Sequence, residues 1–123
     1  MQKVVGIGGV FFRAKDPKVL ARWYEDVLGV DIDNRTWVQE RGQTIFTPFR
    51  ADTDYFGSPD QQWMLCFRVN DLAAMLEQLR AVGITAIENP EWNSEVGVFA
   101  RIHDPEGNPI ELWQPSDFSL GLM

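Results

Sequence analysis

One carboxylate stands out by its setting. Glu111 follows the turn His103-Asp104-Pro105-Glu106-Gly107-Asn108 and lies between Ile110 and Leu112, in a stretch that reads as a strand. A charged side chain between apolar strand neighbours faces solvent, a cavity or a metal. Ten residues upstream, Arg101 alternates with Val98, Ala100 and Ile102. If the turn is a tight hairpin, Arg101 falls opposite Glu111 and Phe99 opposite Trp113, as cross-strand pairs on one face. A one-residue slip would put Glu111 under a helix, at high cost. A guanidinium there can bond the carboxylate at two points and act as its counter-ion. His103 is the only histidine and sits on the rim turn. It could join Glu111 at a metal, or be a solvated turn residue. Cys66 is the only cysteine, so an intrachain disulfide and a multi-cysteine zinc site are excluded. With no histidine placed to activate it, it reads as a small core or cleft residue.

The elements that position these groups repeat. Val4 to Phe12 reads as a strand. Asp16-Pro17 then caps a helix, whose apolar stripe is Val19, Leu20, Trp23, Tyr24, Val27 and Leu28, and Gly29 stops it. The pattern returns 55 positions later, where Phe67-Arg68-x-x-Asp71 answers Phe12-Arg13-x-x-Asp16. A strand from Trp63 to Val69 precedes Asp71, and a stripe of Leu72, Met75, Leu76 and Leu79 runs toward Gly83. Strand-like pieces follow each helix: 36–40 and 43–47 in the first half, and 84–87, 98–102 and 109–113 in the second. The fold class is therefore α+β, two tandem βαβββ modules forming a partly closed, barrel-like sheet around a cleft. The 123 residues make a single domain, with modules at about 4–47 and 62–115 and an ordered linker at about 48–61. Alternation puts Val10, Phe12 and Ala14, and again Leu65, Phe67 and Val69, under the helices. Gly9, Phe11 and Arg13, with Met64, Cys66 and Arg68, are left facing the cleft.

A net charge of −7 and the lack of a basic cluster argue against nucleic acid. No apolar stretch is long enough for a bilayer or a secretory leader, so no membrane partner is expected and a cytoplasmic location is the default.

The Trp23-Tyr24 helix ending in Leu28-Gly29 and the closing Asp104-Pro105-Glu106-Gly107-Asn108-x-Ile110-Glu111-Leu112 resemble the vicinal oxygen chelate superfamily. That group includes glyoxalase I, bleomycin-resistance proteins and extradiol dioxygenases. The resemblance covers about residues 4 to 115 and implies paired βαβββ modules and a homodimer. In metal-dependent members four strand positions supply His, Glu or Gln ligands. Carried over, these fall on Gly9, Phe46 (Thr47 if the register shifts), Met64 and Glu111. Of these only Glu111 suits a divalent metal, and a catalytic zinc takes three protein ligands. Metal-dependent glyoxalase or dioxygenase activity is thereby disfavoured, and no cofactor is expected; a divalent metal at Glu111 is the alternative.

The expected function is metal-independent small-molecule binding, of the sequestration or accessory type. The expected ligand-binding residues are Glu111, Arg101, Phe99, Trp113, Phe11, Phe46, Met64 and Tyr55. The alternative is a glyoxalase-like enzyme, an isomerase, epimerase or lyase, with Glu111 as base or metal ligand. A third is an interaction module with a collapsed cleft. Arg13 and Arg68 are expected in rim salt bridges or on an acidic ligand. Trp92, in a polar loop, is open between a lid and a partner contact.

Overall fold

In the computed structural model, which describes residues 1–32 and 35–120, the chain is a mixed α+β structure with a small open sheet. Helix α1 spans Pro17–Leu28 and helix α2 spans Leu72–Ala81. Each starts where the sequence places a cap: Asp16 accepts from the Val19 amide and Asp71 from the Ala74 amide. Gly29, at φ 72°, ends α1 in the left-handed conformation that favours glycine. Strands β1 (Leu65–Arg68), β2 (Gly97–His103) and β3 (Pro109–Pro115) form one sheet in the order β1-β3-β2. β3 is central, parallel to β1 and antiparallel to β2.

The hairpin takes the expected register, with Arg101 opposite Glu111 and Phe99 opposite Trp113. One sheet face supplies Ala100, Ile102, Ile110 and Leu112 to a core completed by Leu20 and Tyr24 of α1 and by Leu72 and Leu79 of α2. Leu79, Ile102, Ile110 and Leu112 are fully buried, each contributing about 1.5–3 kcal/mol of apolar transfer.

The turn between β2 and β3 is a clamp rather than a simple reversal. Asp104 accepts from the amides of Glu106 and Asn108 and from the Asn108 side chain. Its other partner is the buried Tyr24 hydroxyl, at 2.7 Å. Glu106 in turn accepts from the Lys15 and Asp16 amides. Burial first, then Asp104, pushes the Tyr24 phenol far above its usual range.

The first half departs from the expected pattern. Residues 4–12, 36–40 and 43–47 carry no strand beyond an isolated bridge at Thr36. These stretches leave their side chains exposed, so they bury little that would offset the cost of ordering a ladder. Two aromatics turn inward: the Phe12 ring lies 6.3 Å from Tyr24 and 5.1 Å from Trp63, and the Trp37 ring 5.9 Å from Phe67. The strand expected at 84–87 shrinks to one bridge, Ile87 to Arg101, on the outer edge of β2. No described helix is long and apolar enough to cross a membrane.

Candidate functional site

The sheet face turned away from the helices carries the chemistry. Strand pairing sets Cys66, Glu111 and Arg101 side by side in one row, with Arg68, Trp113 and Phe99 in the next. Glu111 and Arg101 are 7% and 9% exposed, and Trp113 is buried. Phe99 stacks on Trp113, with ring planes 5° apart and centroids 6.0 Å apart. The Trp113 indole donates to the Val96 carbonyl at 2.9 Å. Gly97 permits that approach: at φ 141°, a Cβ there would lie 2.2 Å from the Gln114 carbonyl oxygen and 2.7 Å from the indole nitrogen.

Two segments cover this face. From the linker, Tyr55 donates its hydroxyl to Glu111 and places its ring 4.6 Å from the Arg101 guanidinium carbon. Phe49 stacks on Tyr55 and packs against Phe56, so the linker is held by its own aromatics. From the other side, a single 3-10 turn at Pro90–Trp92 brings the Trp92 ring to 5.0 Å from the same guanidinium. The edges of these two rings meet, with centroids 6.2 Å apart. Contacts of this kind between a cation and aromatic rings are worth about 0.5–2 kcal/mol.

The expected ion pair between Arg101 and Glu111 is not formed. Backbone pairing aligns them, but Glu111 takes its hydrogen bond from Tyr55 and the guanidinium turns to the rings. Among the described residues, ion pairs join only Arg50 to Asp52 and Arg80 to Glu77. The Nε and Nη2 atoms of Arg101 are buried with no hydrogen-bond partner. Burial, then Glu111, pushes the Tyr55 phenol up to about 12. The Cys66 side chain keeps an exposed surface, yet crowding of the thiol, followed by the charge and hydrogen bonding of Glu111, pushes it well above the usual thiol range.

The remaining expected site residues lie apart. Met64 is half-buried just before β1, whereas Phe11 and Phe46 are 96% and 82% exposed. A Cβ on Gly9 would meet only the Phe11 ring. Among the described residues Arg68 forms no salt bridge; its Nη2 donates to the Glu40 carbonyl at 2.9 Å, tying β1 to residues 40–42. His103 is exposed on the rim, opposite Pro109. Trp92 is the residue whose place could not be read from sequence. Its only signal was a large aromatic in a polar loop after a proline.

Among the described residues no group of three or more His, Cys, Asp or Glu side chains gathers. Cys66 lies beside Glu111 across the β1–β3 pair. A surface cavity of about 290 Å³ opens on the α2 side of β2, lined in part by Leu72, Leu76, Pro90, Val98 and Phe99. Neither Glu111 nor Arg101 lines it.

Comparisons with known proteins agree with this fold. The family model for a glyoxalase-like domain matches residues 9–113. TnmS3, an antibiotic binding protein from Streptomyces sp. CB03234, is 25% identical, with a TM-score of 0.56 over 92% of this chain and 100% of its own. A glyoxalase/bleomycin resistance protein from the same organism is 24% identical, with a TM-score of 0.50 over 81% of this chain and 92% of its own. An integron cassette protein from V. cholerae is 20% identical, with a TM-score of 0.60 over 94% and 99% of the two chains. No curated protein matches. The chain therefore belongs to the glyoxalase-like domain family, within the vicinal oxygen chelate superfamily.

Proposed function

We propose that this protein is a metal-independent small-molecule binding protein of the sequestration type. Its site lies on the sheet face of Glu111, Arg101, Phe99 and Trp113, under Tyr55 and Trp92. The observation that carries this reading is the Arg101 guanidinium, held against two aromatic rings beside a buried carboxylate. A few convergent polar groups among aromatic walls are the usual make-up of a ligand site. Likeness to TnmS3, an antibiotic binding protein, supports a ligand of similar kind.

In this reading the first half acts as a second module, and the functional unit is a homodimer. The exposed Val4, Val5, Phe11 and Phe46 support an apolar surface that a partner covers. Light scattering is expected to give the mass of two chains.

The alternative, an isomerase, epimerase or lyase with Glu111 as general base, draws on the same buried carboxylate. The Tyr55 hydroxyl already bonded to Glu111 argues against it, since a base must reach the substrate proton.

Native mass spectrometry of the purified protein, with a tryptophan-fluorescence titration against a polycyclic aromatic antibiotic, tests the proposal. A retained small molecule or a saturable quench abolished by Trp92→Ala is expected. Neither appearing would refute it. Elemental analysis is expected to find Ni, Zn, Fe and Mn well below one per chain. A stoichiometric metal lost on Glu111→Ala would overturn metal independence.

A further inference from the structure

The two unpartnered nitrogens of Arg101 are not an arbitrary pair. In a guanidinium, the Nε–H and the nearer N–H of Nη2 point the same way, along one edge of the plane. That edge forms two parallel hydrogen bonds to a carboxylate. Both atoms are buried without a partner here. The rest of the group is engaged by the Tyr55 and Trp92 rings, and the side chain is nine-tenths buried.

The carboxylate across the strand pair forms no ion pair with Arg101. Glu111, directly across the strand pair, is bonded by Tyr55. No other carboxylate among the described residues forms an ion pair with Arg101. A buried guanidinium edge that makes neither ion pair nor hydrogen bond carries the desolvation penalty of two donors, even with a carboxylate nearby. Such an arrangement is stable only with a compensating return, and an incoming anion supplies it.

We propose that the edge of Arg101 is the recognition element of the site, and that it takes a carboxylate carried on an aromatic frame. This rests on the small-molecule reading above and names the ligand class. The carboxylate lies in the guanidinium plane against Nε and Nη2, and the frame stacks on the ring of Tyr55. Because the Tyr55 and Trp92 rings cover Arg101, the ligand enters by displacing one of them. The 3-10 turn bearing Trp92 is a single turn set in an exposed loop, and is the cheaper of the two to move. Tyr55 is held both by Glu111 and by the Phe49 stack.

Isothermal titration of the wild-type protein with 1-naphthoate and 1-naphthamide is the test. The two probes match in shape and differ in charge. Naphthoate is expected to bind tighter by about tenfold or more, the worth of a charge-assisted bidentate contact. Arg101→Lys, which keeps the charge and loses the fork, is expected to remove most of that gap, and Arg101→Met all of it. Equal affinity of the wild type for both probes would overturn the carboxylate assignment while leaving small-molecule binding standing. Failure of both probes to bind would overturn it as well, and the mass-spectrometric search for a retained molecule then decides the broader reading separately. A naphthoate preference that survives in both variants would place recognition elsewhere and also overturn it.

Discussion

The Tyr24 hydroxyl donates to the Asp104 carboxylate at 2.7 Å in a buried hydrogen bond that joins helix α1 to the turn before the last strand. Asp104 also gathers three donors from its own turn. The turn motif is thus a structural hub, and the candidate site begins only at Glu111, on the far face of the strand it launches.

Tyr24→Phe removes one donor from a buried carboxylate and leaves the ring packing intact. A loss of about 1–3 kcal/mol is expected, seen as a lower denaturant midpoint at unchanged slope. Ligand retention should not change. A neutral result would show that Asp104 is satisfied by the turn alone.

Alkaline pH should weaken the fold through the tyrosines. Tyr55 is raised to about 12, by burial and then Glu111. Tyr24 is raised further, by burial and then Asp104. In the unfolded chain both ionise near the ordinary value of 10.0. Above that pH the unfolded state holds fewer protons than the folded state, so stability falls as pH rises. Below it both states keep the protons and the contribution is complete. Denaturation midpoints of the wild type are expected to fall between about pH 10 and pH 12, and those of Tyr24→Phe/Tyr55→Phe to fall less.

Cys66 should be a sluggish thiol despite its exposed surface. Its proton is held by crowding and by Glu111, and only the thiolate attacks. Reaction with a disulfide reagent at pH 8 is expected at least about tenfold slower than for glutathione. Glu111→Gln should speed it up by removing the adjacent charge. A rate matching glutathione would contradict the pairing of the two side chains.

Gly97→Ala tests the close approach that seats Trp113. The new methyl would meet the Gln114 carbonyl oxygen at 2.2 Å, and φ 141° is itself hostile to a side chain. A destabilisation of about 1–3 kcal/mol and a shifted tryptophan emission are expected. An unchanged midpoint would mean that the strand end adjusts freely.

Local rules made both helices and the last hairpin legible. Asp16 and Asp71 announce their helices by capping, and the Asp104–Asn108 turn fixes the register that aligns Arg101 with Glu111. Both follow from neighbours in sequence. The strands of the first half were not legible because a strand exists only by pairing. The Val-rich alternation of 4–12 describes a willing strand and says nothing of a partner. The ion pair failed for a related reason: register brings two backbones together, but the side chains answer to everything nearby. Tyr55 reaches Glu111 from 56 residues away, and Trp92 reaches Arg101 from a loop with no pattern of its own.

The bonds from the 104–108 turn to α1 also bear on how the chain acquires its structure. Lys15 and Asp16 reach Glu106 across 91 and 90 residues, and Tyr24 reaches Asp104 across 80. During synthesis Tyr24 of α1 is made 80 residues ahead of the carboxylate that anchors it. Contacts so distant along the chain slow folding, because a long loop must close before they form. The apolar stripe of α1 therefore lacks its docking surface until the β2–β3 hairpin has formed. A helix of 12 residues is marginal alone in water, so α1 gains its stability from the turn and sheet that follow far along the chain.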